Sequence, residues 1–497
     1  MIIGERGNRT TYRVPATRDR GPEPTVIDSS IPKGMNPMAI TTGTRTPRTS
    51  CKVLLDKLLY SFCGLTKQTT MGQTSQRRHD IDWLRVILFG LLVPFHVAIG
   101  VYWSTYGLEI NPNIDYLTEK DRLEFVEENN DYSADSVTPE SMFLHWMHQW
   151  RLAALFMISG MGTAFAFRRR VWKAFLRERA SRLLIPMFFG AWTMGFAGQV
   201  ISGDIGIDPI GMTWAFFIGI VWRSLIFWVP VFGKLVALGH LWFLWNLFLY
   251  SLILTPLFNS IRNQPEGIPA RGMRYLFSIK YGMGPILVVP LVLTLSEILF
   301  KPFFPGYIGV AYEWFWFFIF FAVGFACITA QESWYSFLET KRKQVTLLAL
   351  ATTVAFVWIR FEQHSTGIPL VDGGWLLEEP HILHNSKTTL ACLIHSFHAW
   401  YWCLVVFSWG AHFLNRPSRQ LAYLNEGVYP FYIVHMPLVF AGLRISSELG
   451  LRDTPAVLLA TIVTIIFCWL FFEGARRTKV SRLLFGIKAN ARNPLEF

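Results

Sequence analysis

Five stretches of this chain, residues 86–108, 183–203, 235–261, 388–415 and 454–472, contain no Asp, Glu, Lys or Arg. A charge at the centre of a bilayer costs at least a few kcal/mol, and a helix needs about 20 apolar residues to cross one. Shorter clean runs cover 152–167, 281–296, 314–331, 344–359 and 427–443. They reach crossing length when flanking side chains snorkel. The pattern predicts an all-α polytopic membrane bundle of about ten transmembrane helices, one for each run. Composition agrees, since 52% of the 497 residues are hydrophobic and 16% charged, against about 25% charged in a soluble domain. Disordered, collagenous and disulfide-stapled classes are excluded.

The net charge is +12, which on one surface would fit a nucleic acid. Sorted by loop, it orients the chain instead. Residues 1–80 carry 13 Lys/Arg against 6 Asp/Glu, residues 109–140 carry 10 acids against 2 bases, and residues 168–182 carry 7 bases against 1 acid. By the positive-inside rule the N-terminus and the Arg-rich loop are cytoplasmic and the acidic loop external. Residues 209–233, interrupted by Arg223, are a further candidate span. A crossing there would put the basic loop 259–282 and the basic tail outside, so this segment reads as an external hairpin or interfacial piece. Both termini are then cytoplasmic, and no nucleic-acid partner is expected.

Residues 1–75 read as a basic, disordered cytoplasmic leader, with a true start at Met71 as the alternative. Residues 79–485 form the transmembrane domain and 486–497 a short tail. Cys327, Cys392, Cys403 and Cys468 fall inside apolar runs, Cys51 and Cys63 in the leader, and no CxxC pair exists. Packing is their expected role, and no metal site is expected.

The chemistry is sought where ionisable side chains are costly to keep. Arg85 and His96 are eleven residues apart, three turns plus about 20°, so they share a helix face about 16 Å apart. Asp82 precedes Arg85 by one turn on a neighbouring line. His148 and Arg151 are one turn apart at an external entry, whereas His145 reads as an interfacial belt residue beside Trp146 and Trp150. Arg179 and Arg182 stand one turn apart, where two guanidiniums can grip phosphate bidentately. Positive-inside anchoring accounts for Arg168, Arg169 and Arg170. His240 opens a helix with Asn246 about two turns in, and His395, His398 and His435 each read as structural when taken singly.

D-x-x-R-x10-H at Asp82–His96, HQWRLAALFMISG, RxxR-xx-IP, HLWFL and YPFYIVHMPL follow one another in this order. Together they resemble the acyltransferase-3 family of membrane proteins, over about residues 79–485, with wording nearest to its glucan-modifying members. The resemblance implies transfer of an acyl group (acetyl, succinyl or similar) from cytoplasmic acyl-coenzyme A to a hydroxyl of an extracytoplasmic glycan. Acyl-coenzyme A would be a co-substrate, with no tightly bound cofactor. It implies His96 as the essential histidine and Arg85, Arg179 and Arg182 as donor-binding. His148, Arg151 and Asp82 complete the catalytic candidates, and His240, Asn246 and His435 the substrate-binding ones. A multi-pass protein of the bacterial plasma (inner) membrane is expected. The competing reading is a transporter or flippase, because intramembrane Arg and His also mark substrate paths.

Overall fold

The structure, a computed structural model, describes residues 78–102, 137–202, 240–279, 282–301, 312–366 and 386–487. The leader, the 209–233 segment, Cys51, Cys63 and the tail beyond residue 487 lie outside the described residues. All regular structure among the described residues is helical.

Helices carry the described part of each clean run, with 314–331 divided between two of them. In chain order these are α1 (His79–Tyr102), α2 (Pro139–Arg169), α3 (Trp172–Ser202) and α4 (Trp242–Asn263). The amphipathic α5 (Ile268–Ser278) leads to α6 (Gly284–Phe300), which opens with a π-turn at Gly284–Val288. Then come α7 (Tyr312–Thr329), α8 (Gln331–Thr366), α9 (Ser386–Phe413), α10 (Arg419–Glu448), α11 (Asp453–Ala475) and the short α12 (Lys479–Leu484). Eight helices among the described residues are long and apolar enough to cross a membrane. The 183–203 and 281–296 runs lie in α3 and the shorter α6.

Burial separates the bundle centre from its lipid-facing rim. The most apolar window of α2 is 78% buried, against 28% in α8 and in α11. Leu347, Leu350, Val354, Trp358 and Phe361 form an exposed stripe along α8, and Leu458, Ile462, Ile465 and Trp469 one along α11. In water such stripes would be untenable; in a bilayer they cost nothing.

Close helix approach in lipid depends on small residues, and the α2–α7 crossing shows why. A Cβ on Gly160 would lie 2.0 Å from the Phe321 carbonyl oxygen, and one on Gly324 2.1 Å from that of Met157. Gly324→Ala is therefore expected to cost on the order of 3 kcal/mol, the upper end for overpacking. A lowered melting temperature of the detergent-solubilised protein checks this.

At the other end of the chain, Arg482 donates to Glu426 Oε1 at 2.6 Å and Arg476 to Glu426 Oε2 at 3.3 Å. These bonds tie α12 to α10 and α11. Gly486 then turns the chain at φ +68°, with space for a Cβ only 3.2 Å from Pro186 of α3.

Candidate active site

The α2–α3 hairpin places two groups of basic residues at one end of the bundle. Between α1, α2, α3 and α10 lies a cavity of about 150 Å³, lined by Arg85, Arg170, Arg179, Arg182, Glu178 and Tyr429, with Ser159 and Gly162 on the α2 side. Glu178 pairs with Arg170 and lies 3.6 Å from Arg182. Arg179 donates to Thr163 Oγ1. Among the described residues Arg85 and Arg179 have no carboxylate within ion-pair distance, and Arg182 Nε is buried without a hydrogen-bond partner. The guanidinium carbons of Arg85 and Arg182 lie 5.4 and 5.9 Å from the Tyr429 ring centre. Positive charge in excess and donors unspent are what a phosphate-bearing ligand requires.

Three of the sequence-predicted residues, Arg85, Arg179 and Arg182, thus converge on one cavity. Arg170, Glu178 and Tyr429 were not predicted. Positive-inside anchoring does not exhaust the role of Arg170, which lines the cavity and pairs with Glu178. Asp82 is half-buried on α1 and is not among the lining residues. Its neighbour Asp80 is the buried carboxylate, accepting from Arg78 at 3.0 and 2.9 Å. Arg78 in turn lies 3.7 Å from the Tyr335 ring centre.

A second centre occupies the opposite half of α1. His96 and His435 have ring centres 5.1 Å apart, and His435 and His240 4.9 Å. His148 stacks on Phe95 at 5.7 Å, and the Arg151 guanidinium lies 4.1 Å from the same ring. Helices α1, α2 and α10 and the turn that leads into α4 each supply part of this group, which a single-helix reading could not assemble. His145 is not in an interfacial belt. It is 1% exposed, and its Nδ1–H donates to the Ser141 carbonyl at 2.8 Å. Asn246 is buried on α4.

Hydrogen bonds fix the tautomers. A carbonyl only accepts, so His96 Nδ1 carries the proton it donates to Leu92 O at 2.9 Å. Its Nε2 is then a lone-pair nitrogen. His435 likewise donates from Nδ1 to Tyr432 O at 2.7 Å, and its Nε2 is buried without a partner among the described residues. Arg151, 1% exposed, has Nε–H and Nη1–H without partners among the described residues. Lone pairs and guanidinium N–H groups side by side suit a hydroxyl, which can donate to one and accept from the other. Among the described residues no group of three His, Cys, Asp or Glu could hold a metal ion.

Between the two centres stand Phe89, Phe243 and Tyr432, with ring centres 5.8–6.1 Å apart. The arginine cavity does not extend to His96; this aromatic partition lies on the way.

One buried polar cluster escaped prediction. Glu297, fully buried, accepts from Lys301 at 3.2 Å, His395 Nδ1 at 2.8 Å and Ser396 Oγ at 3.2 Å. The signal was present in the sequence, because a Glu–Lys pair four residues apart closes the 281–296 run. Its oxygens are all engaged, as a structural carboxylate's must be.

The family model for the acyltransferase domain matches residues 78–473, which takes in both centres and helices α1 to α10. The chain belongs to this acyltransferase family and is an integral membrane acyltransferase. It is similar to Glucans biosynthesis protein C of Escherichia coli strain K12, 21% identical over 388 residues that cover 76% of this chain and 86% of the relative. The same protein from two other K12 strain backgrounds, DH10B and MC4100/BW2952, matches equally. No solved structure matches the chain.

Proposed function

We propose that the chain transfers a short acyl group, acetyl, succinyl or similar, from cytoplasmic acyl-coenzyme A to a hydroxyl of a glycan on the far side of a bacterial inner membrane. The observation that carries this is the placing of Arg85 and His96 at the two ends of one helix face. One end belongs to an arginine-lined cavity and the other to a cluster of lone-pair imidazoles and a guanidinium. The glycan acceptor follows from the name of the relative, which concerns glucan biosynthesis.

In this reading Arg85, Arg179 and Arg182 hold the donor's phosphates, and Arg170 is added to them. The pantetheine arm passes the Phe89–Phe243–Tyr432 partition and brings the thioester to His96. His96 Nε2 takes the proton from the acceptor hydroxyl as its oxygen attacks the thioester carbonyl. Arg151, with His148 beside it, stabilises the oxyanion. The carbon–sulfur bond breaks, and the coenzyme A thiolate leaves with the proton from the imidazolium. Asp82 orients the start of α1, and His240, Asn246 and His435 frame the acceptor.

The donor half is tested by filling the cavity without touching an arginine. A Cβ on Gly162 would meet nothing within 4 Å, and Gly162 lines the cavity. Gly162→Phe is expected to weaken acyl-coenzyme A binding by at least about tenfold, roughly 1.4 kcal/mol, with an unchanged melting temperature. Titration of acetyl- and succinyl-coenzyme A against purified protein reads this. Unchanged affinity for both would remove the cavity from the donor path.

A further inference from the structure

Proline lacks a backbone N–H, so Pro437 inside α10 cannot close the helical bond to the Ile433 carbonyl four residues before it. His240 takes up that carbonyl. Its Nε2–H donates to Ile433 O at 3.2 Å, across 193 residues of sequence. The Tyr432 hydroxyl donates in return to the His240 carbonyl. His240 is thus tied to α10 through both ring and main chain, and because Nε2 carries the proton its Nδ1 is the lone-pair nitrogen. Its ring stands edge-on to His435 at 84°, and His435 lies against His96.

We infer that Pro437 and His240 form a positioning lock, in which the carbonyl freed by the proline fixes His240 and, through it, holds His435 against the catalytic His96. The inference rests on the reading of His96 as the base. Pro437 and His240 are positioning residues in it. An unpaired carbonyl inside a bundle is costly, so the proline makes an acceptor that His240 satisfies and that no ordinary helix position would offer.

A related arrangement occurs away from both centres and supplies a control. Pro290 follows the π-turn of α6 and has no N–H for the carbonyls before it; Trp400 Nε1 donates to Pro285 O at 2.5 Å and the Tyr401 hydroxyl to Ile286 O at 3.1 Å. Pro290→Ala changes a proline and a freed carbonyl without touching the histidines.

Pro437→Ala restores the backbone donor and takes the Ile433 carbonyl from His240. Alanine is also the better helix former, so a purely structural proline predicts equal or higher thermal stability and unchanged turnover. The lock predicts equal or higher stability with kcat lowered about tenfold to a hundredfold, the scale of small misplacements at a reacting centre. KM for acyl-coenzyme A stays within about twofold and Pro290→Ala retains full kcat. His240→Gln, whose side-chain amide can donate to the Ile433 carbonyl, is expected to keep several-fold more activity than His240→Ala. Wild-type kcat in Pro437→Ala overturns the inference. If that variant does not fold, the His240 pair decides, and equal kcat in His240→Gln and His240→Ala overturns it too. His96→Asn, measured in parallel, separates the two levels. An active His96→Asn removes the base reading itself, whereas an inactive one beside a fully active Pro437→Ala removes the lock alone.

Discussion

His96→Asn is expected to lower kcat by about 10²–10⁴-fold, the range for loss of a positioned general base. Asparagine is the informative substitution because its side-chain amide can still donate to the Leu92 carbonyl, as Nδ1 does at 2.9 Å. The helix contact is kept while the lone-pair nitrogen is lost. KM for the acyl donor is expected to stay within a few-fold, since His96 lies about 16 Å of helix rise from Arg85. Stopped assays that follow release of the coenzyme A thiol give both constants. Full activity in His96→Asn would transfer the base role to another group, with His435 the next to examine.

The second large effect belongs to the opposite end. Arg179→Ala combined with Arg182→Ala is expected to raise KM for acyl-coenzyme A by about 10²-fold or more. Each hydrogen bond from a charged donor is worth about 1.5–3 kcal/mol, and tenfold corresponds to about 1.4 kcal/mol. Turnover at saturating donor is expected to fall far less. The two variants together assign one centre to binding and the other to chemistry. A KM effect from His96 and a kcat effect from the arginine pair would reverse that assignment. Salt weakens attraction between guanidiniums and phosphates, so raising ionic strength is expected to raise KM in the wild type and to raise it less in the double variant, which keeps only Arg85 and Arg170 at the cavity.

How much of this was legible in the sequence follows from how local each feature is. The clean runs and the Arg85–His96 spacing are properties of single helices. The described part of each run falls mainly in helical structure, eight helices among the described residues are long and apolar enough to cross, and Arg85 and His96 share α1. Arg179 and Arg182 could be singled out because an RxxR pair beside an apolar run shows its pairing within one turn. Tyr429 could not, since only folding brings α10 against α1 and α3. The same applies to His240, His435 and His96, which the turn before α4, α10 and α1 deliver to one place. Arg170 was hidden for another reason. A basic residue at a helix end is expected on topological grounds, and that explanation left nothing over to prompt a second role. His145 went astray because flanking tryptophans resemble an interfacial belt, whereas the bundle covers that side of α2. Glu297 is illegible for a similar reason, since a Glu–Lys pair just past an uncharged run reads as the end of a span, and only folding brings His395 and Ser396 of α9 to it.

In the proposed function one centre receives acyl-coenzyme A and the other passes its acyl group to a glycan hydroxyl. The direct measurement reconstitutes the purified protein in sealed liposomes with radiolabelled acetyl- or succinyl-coenzyme A on one side and a glucan oligosaccharide on the other. The expected result is label in ester linkage to the glucan, with one coenzyme A thiol released for each ester formed. Glucan recovered unmodified from the donor side, with no thiol released from either donor, would mean that the histidines and arginines line a transport path and would contradict the account.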